Sequence, residues 1–432
     1  MHRALCPVET LYVGQRSRGV LSSTVRGHLD TGALATAFDE VTRDQPSMRT
    51  RIVAAGDGFA LAPLGEDERP RLSTVTGDLR EAYARELNTA LPVGGPVSRA
   101  VLTSAPTGDE HMLVISLDHT IIDGHSAVAV QNEVWNRYRA LVEGRTGAAS
   151  APGGRQQAPR WPQPISELLP DTGRADTAAY LQQRVEHARK HPVHLVAYDA
   201  GEVDDPHIEV VRLTLDDEHT TRLRHTARRR GVSVHALICA ALLSAARRRL
   251  DGDEPRTLGC LSPVDLRSRV SPPVPALRTV PAVTTHLQTL EVATDADRYE
   301  LARTVHTRLG DFVASRDYVH EMRITPQIPG NPTLQLATVI ATNMGVCPAP
   351  RPPRGLELVD VRLVPAREQY FPQAGRSPIM ACAVSFDGRL AIEFPFFTAC
   401  FSPSFMRTFR NELHAGLVAF ADAAEPAPAP AG

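Results

Sequence analysis

Asp118-His119-Thr120-Ile121-Ile122-Asp123-Gly124-His125-Ser126 is the stretch on which the reading of this chain turns. Before it runs His111-Met112-Leu113-Val114-Ile115-Ser116-Leu117, almost continuously apolar, which predicts a strand buried on both faces and ending at 118. After it, Ala127, Val130, Val134, Tyr138 and Leu141 recur at helical spacing, which predicts a helix over roughly 126–142. A histidine thus stands at the end of a buried strand, in a tight turn before a helix, where α/β sheets present functional side chains. A neutral imidazole there can accept a proton from an alcohol or amine that attacks a carbonyl. Asp123 can pair with an arginine and hold the turn, and Gly124 offers backbone geometry closed to other residues. The same residues are equally consistent with a satisfied core histidine followed by an Asp-Gly turn, because short motifs recur by chance.

Strand and helix alternate on both sides of this turn. Upstream, Leu21 to Leu29 reads as a strand, and Asp30 or Thr31 caps a helix over roughly 31–44 with Leu34, Ala37, Phe38 and Val41 on its apolar face. Pro46 stops that helix, and Ser47 to Val53 and 97–103 read as strands. Downstream, composition shifts near 144 to Gly, Pro, Ala, Gln and Arg, which predicts a linker or surface crossing. Beyond it come a strand at Val210 to Leu215, a polar helix to Arg230 and an apolar helix from Val234 to Leu250. A strand at Leu258 to Ser262, a helix over roughly 295–314 and strands at 334–341, 356–364, 379–386 and 390–397 follow, with a closing helix at 403–422. Asp387-Gly388 signals a hairpin between the last two strands. The fold class is α/β, or mixed α+β, in two lobes. The boundaries fall at 1–145, a crossing at 146–175, a second lobe at 176–422 and a disordered tail at 423–432.

Composition narrows the chemistry. The 432 residues carry 47 Lys+Arg against 49 Asp+Glu, with 42% hydrophobic and 22% charged residues, as in globular proteins. The formal charge of -2 offers no basic excess for nucleic acid and no polybasic membrane anchor. Lys190 is the sole lysine, so arginine supplies nearly all the positive charge. The six cysteines form no CxxC pair, which removes support for zinc-ribbon and thioredoxin-type sites. The segment MHRALCPVET lacks an apolar core, and no apolar run approaches a membrane span, so a cytoplasmic protein is expected. GxSxG, Walker A and GxGxxG motifs are missing as well. His187 and His191 have metal-ligand spacing, but Pro192 follows and no Glu lies in a zincin position, so surface histidines are expected and no metal. Arg228-Arg229-Arg230 and Arg247-Arg248-Arg249 read as solvated helix ends, or alternatively as a docking patch for an acidic carrier or a coenzyme's phosphates.

Several separated segments together resemble the condensation-domain-like acyltransferase superfamily. They are Pro7-Val8-Glu9, Gly27-His28-Leu29-Asp30, Gln45 to Thr50, the HxxxDG core at His119 to Gly124, Ser262 to Arg267, Ala341 to Gly345 and Phe386 to Leu390. The PapA type is the most similar branch, on Asp123 to Ser126, on Pro-Val-Asp-Leu-Arg followed by Pro-Pro-Val, and on Pro352 to Leu358. The resemblance implies two chloramphenicol-acetyltransferase-like lobes arranged as a pseudo-dimer, with the active site in a tunnel between them. It implies His119 as catalytic base, with Asp123, Gly124 and Arg267 structural at the site and Arg267 the partner of Asp123. Thr342, Asn343 and Asp118 become candidates to line the tunnel. Asp118 stands where the family's longer HHxxxDG motif has its first histidine. The implied reaction moves an acyl group from a phosphopantetheine thioester, on an acyl carrier protein or coenzyme A, to a hydroxyl of a polyketide, sugar or lipid-like product. No permanently bound cofactor is implied. An acyl carrier protein or polyketide synthase is the implied partner, and a monomer suffices. Amide formation on a carrier-bound amine and a non-catalytic carrier-docking module are the alternatives.

Overall fold

The computed structural model describes residues 2–144, 161–368 and 377–422. The first half of the crossing expected at 146–175, and the tail at 423–432, lie outside the described residues. Within them the chain forms two lobes, each a sheet covered by helices, with a small three-stranded sheet alongside.

The first lobe is built on a five-stranded sheet in the order Leu356–Arg367, Ser17–Gly27, Glu110–Asp118, Ser98–Ser104, Leu72–Thr76. Glu110–Asp118 is its central strand, and His111 to Leu117 are all buried, as the apolar run predicts. Helices Thr31–Asp44 and Gly124–Val142 pack on one face. The Asp30 carboxylate caps the first by accepting from Ala33 N at 3.0 Å. Two buried aromatics on the second tie it down. Trp135 Nε1 donates to Ser23 Oγ at 2.9 Å, and Tyr138 hydroxyl accepts from Asp30 N at 3.0 Å.

The second lobe carries a six-stranded sheet in the order Val283–Val292, Arg256–Asp265, Val339–Val346, Ile379–Phe386, Arg389–Phe397, Ile208–Leu215. Helices Val234–Arg247 and Pro403–Ala421 supply most of its core against the sheet. Phe386 pairs with Arg389, so the hairpin loop is Asp387-Gly388, whose φ values of 44° and 86° are those of a type I′ turn.

One strand joins the lobes. Leu356–Arg367 belongs to the range 176–422 expected for the second lobe, yet it pairs antiparallel with Ser17–Gly27 in the first lobe's sheet. The reason is visible at its edges. Its outward residues meet the second sheet through ion pairs, one of them on a buried carboxylate: Arg362 reaches Glu393 at 2.8 Å and Arg212 reaches Asp360 at 2.7 Å. Glu393 is 1% exposed and also meets Arg212 at 3.2 Å, so the seam is an ion-pair network that neither sheet completes alone.

Other departures follow local physics. Pro46–Arg49 is a 3₁₀ turn, and the strand begins only at Thr50. The strand expected at 334–341 begins at Val339, after the 3₁₀ turn Pro332–Gln335. Val283–Val292, Pro7–Gln15 and Leu79–Asn88 were not expected as elements. In the Arg247-Arg248-Arg249 run only Arg248 is solvated, at the helix end. Arg247 is 1% exposed and donates to the carbonyls of Val292, Leu250, Gly252 and Glu254, while Arg248 and Arg249 both engage Glu412. Among the described residues no single helix is long and apolar enough to cross a membrane.

Candidate active site

The turn after Glu110–Asp118 is pinned residue by residue. Asp118 carboxylate accepts from Thr120 N at 2.9 Å, and Ile121 N donates to Asp118 O at 3.1 Å. His119 N donates to Ser17 O at 2.9 Å, on the neighbouring strand. Asp123 then caps helix Gly124–Val142 by accepting from Ser126 N at 2.9 Å.

Asp123 does more than cap. It is 4% exposed and lies 2.9 Å from Arg267 Nη2, and its second oxygen accepts from Ala282 N at 2.9 Å. Arg267 is 6% exposed and also donates to Pro275 O at 2.7 Å and Val280 O at 2.9 Å. The pair therefore locks the turn of the first lobe to segment 275–282 of the second. Gly124 has a different reason than the one its sequence suggested. Its φ is not left-handed; a Cβ there would meet Met344 Sδ at 2.3 Å. The missing side chain leaves room for the Met344 side chain against the turn.

His119 faces a chamber of about 160 Å³. His119, Gly124 and His125 form its wall from the first lobe, and Thr342, Asn343 and Met380 from the second. Arg367, at the end of the crossing strand, also lines it. Thr342 and Asn343 thus line the same chamber as His119. Asn343 Oδ1 accepts from Gly345 N at 2.9 Å, which fixes the carboxamide. Cys382 shares the wall, but burial holds its thiol well above the usual range, so it stays protonated.

Burial pushes His119 down to about 4, and the Arg367 charge acts in the same direction. Its own carbonyl, Asp123 and the Ile122 carbonyl pull the other way without prevailing. At neutral pH the ring is therefore the free base. Nδ1 is the enclosed ring nitrogen and the carbonyls of His119 and Ile122 act on the ring, which leaves Nε2 to face the chamber. Tyr12 stacks on the ring, with centroids 3.9 Å apart and planes 16° apart. Tyr12 had no part in the reading of the sequence. It sits on a nine-residue helix with a weak apolar stripe, and nothing in its local pattern marks it.

Asp118 lies elsewhere. Successive side chains at a strand end point to opposite sides, so Asp118 turns away from the chamber that His119 faces. It lines a separate cavity of about 410 Å³, with Arg16, Arg18 and Glu368. Burial pushes its carboxyl up to about 6. Asp118→Asn keeps the shape of the turn, and its kcat is expected to stay within about 5-fold of wild type in any acyl-transfer assay, since isosteric surface-cavity changes are small. A loss of 100-fold would place Asp118 in the reaction.

His187 and His191 rings lie 4.6 Å apart, and His187 Nε2 sits 2.6 Å from Thr289 Oγ1, at the edge of the second sheet. Among the described residues no three His, Cys, Asp or Glu side chains converge as metal ligands.

Three half-buried histidines set an acid limit on the fold. His119 and His235 are held down to about 4 and His286 to about 3, all chiefly by burial. An unfolded chain protonates them near 6.5. Stability is therefore intact above about pH 6.5 and is lost as pH falls toward 4, by about 3 kcal/mol for each fully shifted group. Asp118, raised in the folded state, opposes this by regaining stability as pH falls below 6. Calorimetry is expected to show Tm falling by several degrees between pH 7 and 4.5; a Tm that rises over this range would sink the assignment of neutral imidazoles.

Comparison with known proteins bears on this geometry. Residues 204–395 match the family model for the phthiocerol/phthiodiolone dimycocerosyl transferase C-terminus. The phthiocerol/phthiodiolone dimycocerosyl transferase of Mycobacterium ulcerans is 26% identical over 406 residues, covering 90% of this chain and 91% of the relative. Among solved structures, polyketide synthase associated protein 5 from Mycobacterium tuberculosis superposes with a TM-score of 0.74 at 19% identity, over 97% of this chain and 98% of that one. The TRI3 trichothecene 15-O-acetyltransferase from Fusarium sporotrichioides gives 0.74 at 11% identity, over 97% and 95%. With its two lobes and its turn histidine facing the chamber between them, the chain has the fold of the condensation-domain-like acyltransferases. In sequence it is similar to PapA-type acyltransferases, over its second half by the family model and over most of its length by the relatives.

Proposed function

We propose that the protein moves an acyl group from a phosphopantetheine thioester to a hydroxyl of a polyketide, sugar or lipid-like acceptor, with His119 as general base. The thioester arrives as co-substrate, on coenzyme A or on an acyl carrier protein within or beside a polyketide synthase. The observation that carries this reading is a neutral, chamber-facing Nε2 in a cavity walled by both lobes.

In this reading the acceptor O–H approaches Nε2 and yields its proton as the oxygen attacks the thioester carbonyl. The C–O bond forms, and the carbonyl electrons move to oxygen. The low basicity of His119 is offset as the oxyanion grows, because the new negative charge lies within a few ångströms of the forming imidazolium. The Arg367 charge that depresses His119 favours the same oxyanion, and Thr342 and the Asn343 amide offer hydrogen-bond donors on the wall. Collapse breaks the C–S bond, and the thiolate leaves with the proton from His119. Asp123 is not a proton carrier here, because all its lone pairs are committed to Arg267, Ser126 and Ala282.

The test is an acceptor screen. Acyl-coenzyme A and acyl carrier protein thioesters are offered with mixed alcohols and with free or carrier-bound amines, and products are read by mass spectrometry. Ester products are expected. Amides alone would replace this reading with that of a condensation enzyme. Binding of an acyl carrier without any product would replace it with that of a docking module.

A further inference from the structure

The cavity beside Asp118 shares no lining residue with the chamber. Val13, Arg18, Asp118 and Glu368 line it, while their chain neighbours Tyr12, Gly19, His119 and Arg367 line the chamber. The two spaces therefore stand back to back across the ends of Ser17–Gly27, Glu110–Asp118 and Leu356–Arg367. At about 410 Å³ the cavity has the size of a small-molecule site.

Its walls are apolar and held in place. Val13, Ile52, Leu91 and Val97 line it, and Phe59 and Val93 stand at its rim, 37% and 82% exposed. The rim loop 91–97 is tied at both ends: Arg16 Nη2 donates to Leu91 O at 3.4 Å, and Val97 N donates to Thr50 O at 3.1 Å. Between these ties Gly94 turns left-handed at φ 71°, and Gly95 N donates to Pro92 O at 3.1 Å.

The floor is polar. Glu368 pairs with Arg16, and with Arg18 at 2.8 Å. Counting Asp118, the lining holds two cations, Arg16 and Arg18, against two carboxylates, so it offers no net field to a charged ligand. One polar group is left over. Ser17 lines the cavity and is 0% exposed, and its hydroxyl has no hydrogen-bond partner among the described residues. A buried hydroxyl without a partner is costly, and a ligand that pairs with it recovers that cost.

We propose that this cavity is a second binding site, for a neutral amphiphile: an aliphatic chain that lies along Val13, Ile52, Leu91 and Val97 and ends in a hydroxyl paired with Ser17. The site stands apart from the acyl-transfer chamber and does not rest on the reading of His119 as a base.

The test is calorimetric titration of the full chain at pH 7.5 with octanol, octanoate and octylamine, which share a chain length and differ in head charge. Octanol is expected to bind at least about 10-fold more tightly than either ion, because a buried ion there finds no unpaired counter-charge. Ser17→Ala removes a hydroxyl that the fold does not use, and is expected to weaken octanol about 3–10-fold. Ala54→Trp, at an exposed position on the cavity wall, fills the space from the rim and is expected to abolish octanol binding. The proposal is overturned if wild type does not bind octanol, if either ion binds as tightly, or if Ser17→Ala or Ala54→Trp binds octanol as wild type does, which would place the alcohol elsewhere. Should Ala54→Trp not fold, the Val13 and Val97 methyl resonances of wild type decide the location: they are expected to shift on titration with octanol, and unshifted methyls overturn the site. No turnover is read, so failure of the acyl-transfer reading leaves these outcomes unchanged.

Discussion

Asp123→Ala is expected to destabilise the protein by about 3–5 kcal/mol, because it leaves the Arg267 guanidinium buried without its counter-charge. Three losses coincide. Arg267 loses a carboxylate at 2.9 Å, Ser126 N loses its cap, and Ala282 N loses its acceptor. The carbonyls of Pro275, Arg278 and Val280 still receive the guanidinium, which places the effect toward the lower end of the range. Against a typical total of about 5–15 kcal/mol this is a large fraction, so soluble yield is expected to fall together with Tm. Activity is expected to fall as well, since segment 275–282 carries Ala282 to the chamber wall and Asp123 holds it there. Asp123→Asn keeps a cap and a similar shape but not the charge, and is expected to lie between wild type and alanine. Thermal unfolding of the three proteins settles it: an Asp123→Ala protein as stable as wild type would remove the structural role assigned to the pair.

What the sequence discloses here depends on how far apart the partners lie. The turn from Asp118 to Ser126 was legible because strand, histidine, cap and helix are contiguous and each has its own periodic signature. The cap at Asp30 was legible for the same reason. Arg267 stands 144 positions from Asp123, and only likeness to a family pointed to it. The placing of Leu356–Arg367 was not legible. Its alternation marks a strand, but the choice of Ser17–Gly27 as partner depends on Arg362 and Arg212 meeting Glu393 and Asp360 across two sheets. Val283–Val292 carries a half-buried edge-strand pattern that is easily passed over among short polar residues. Tyr12 was beyond reach, because an aromatic stack between a short helix and a turn more than a hundred residues away leaves no trace in either segment. Asp118 was misplaced because a motif position says which residue is present and not which side of the strand end it faces.

The central claim is that Nε2 of His119 accepts the acceptor's proton during acyl transfer. Positioned general-base catalysis contributes about 10²–10⁴ in rate, so His119→Ala is expected to fall by about 10³ in kcat/KM. The side chain lines the chamber and makes no ion pair, so its removal should leave the fold standing. The direct measurement is thiol release from a panel of acyl-coenzyme A and acyl carrier protein thioesters, with alcohol acceptors present, in wild type and His119→Ala of matched circular dichroism and Tm. The account predicts acceptor-dependent thiol release in wild type and its near-complete loss in the variant. Release at the wild-type rate from folded His119→Ala would contradict it.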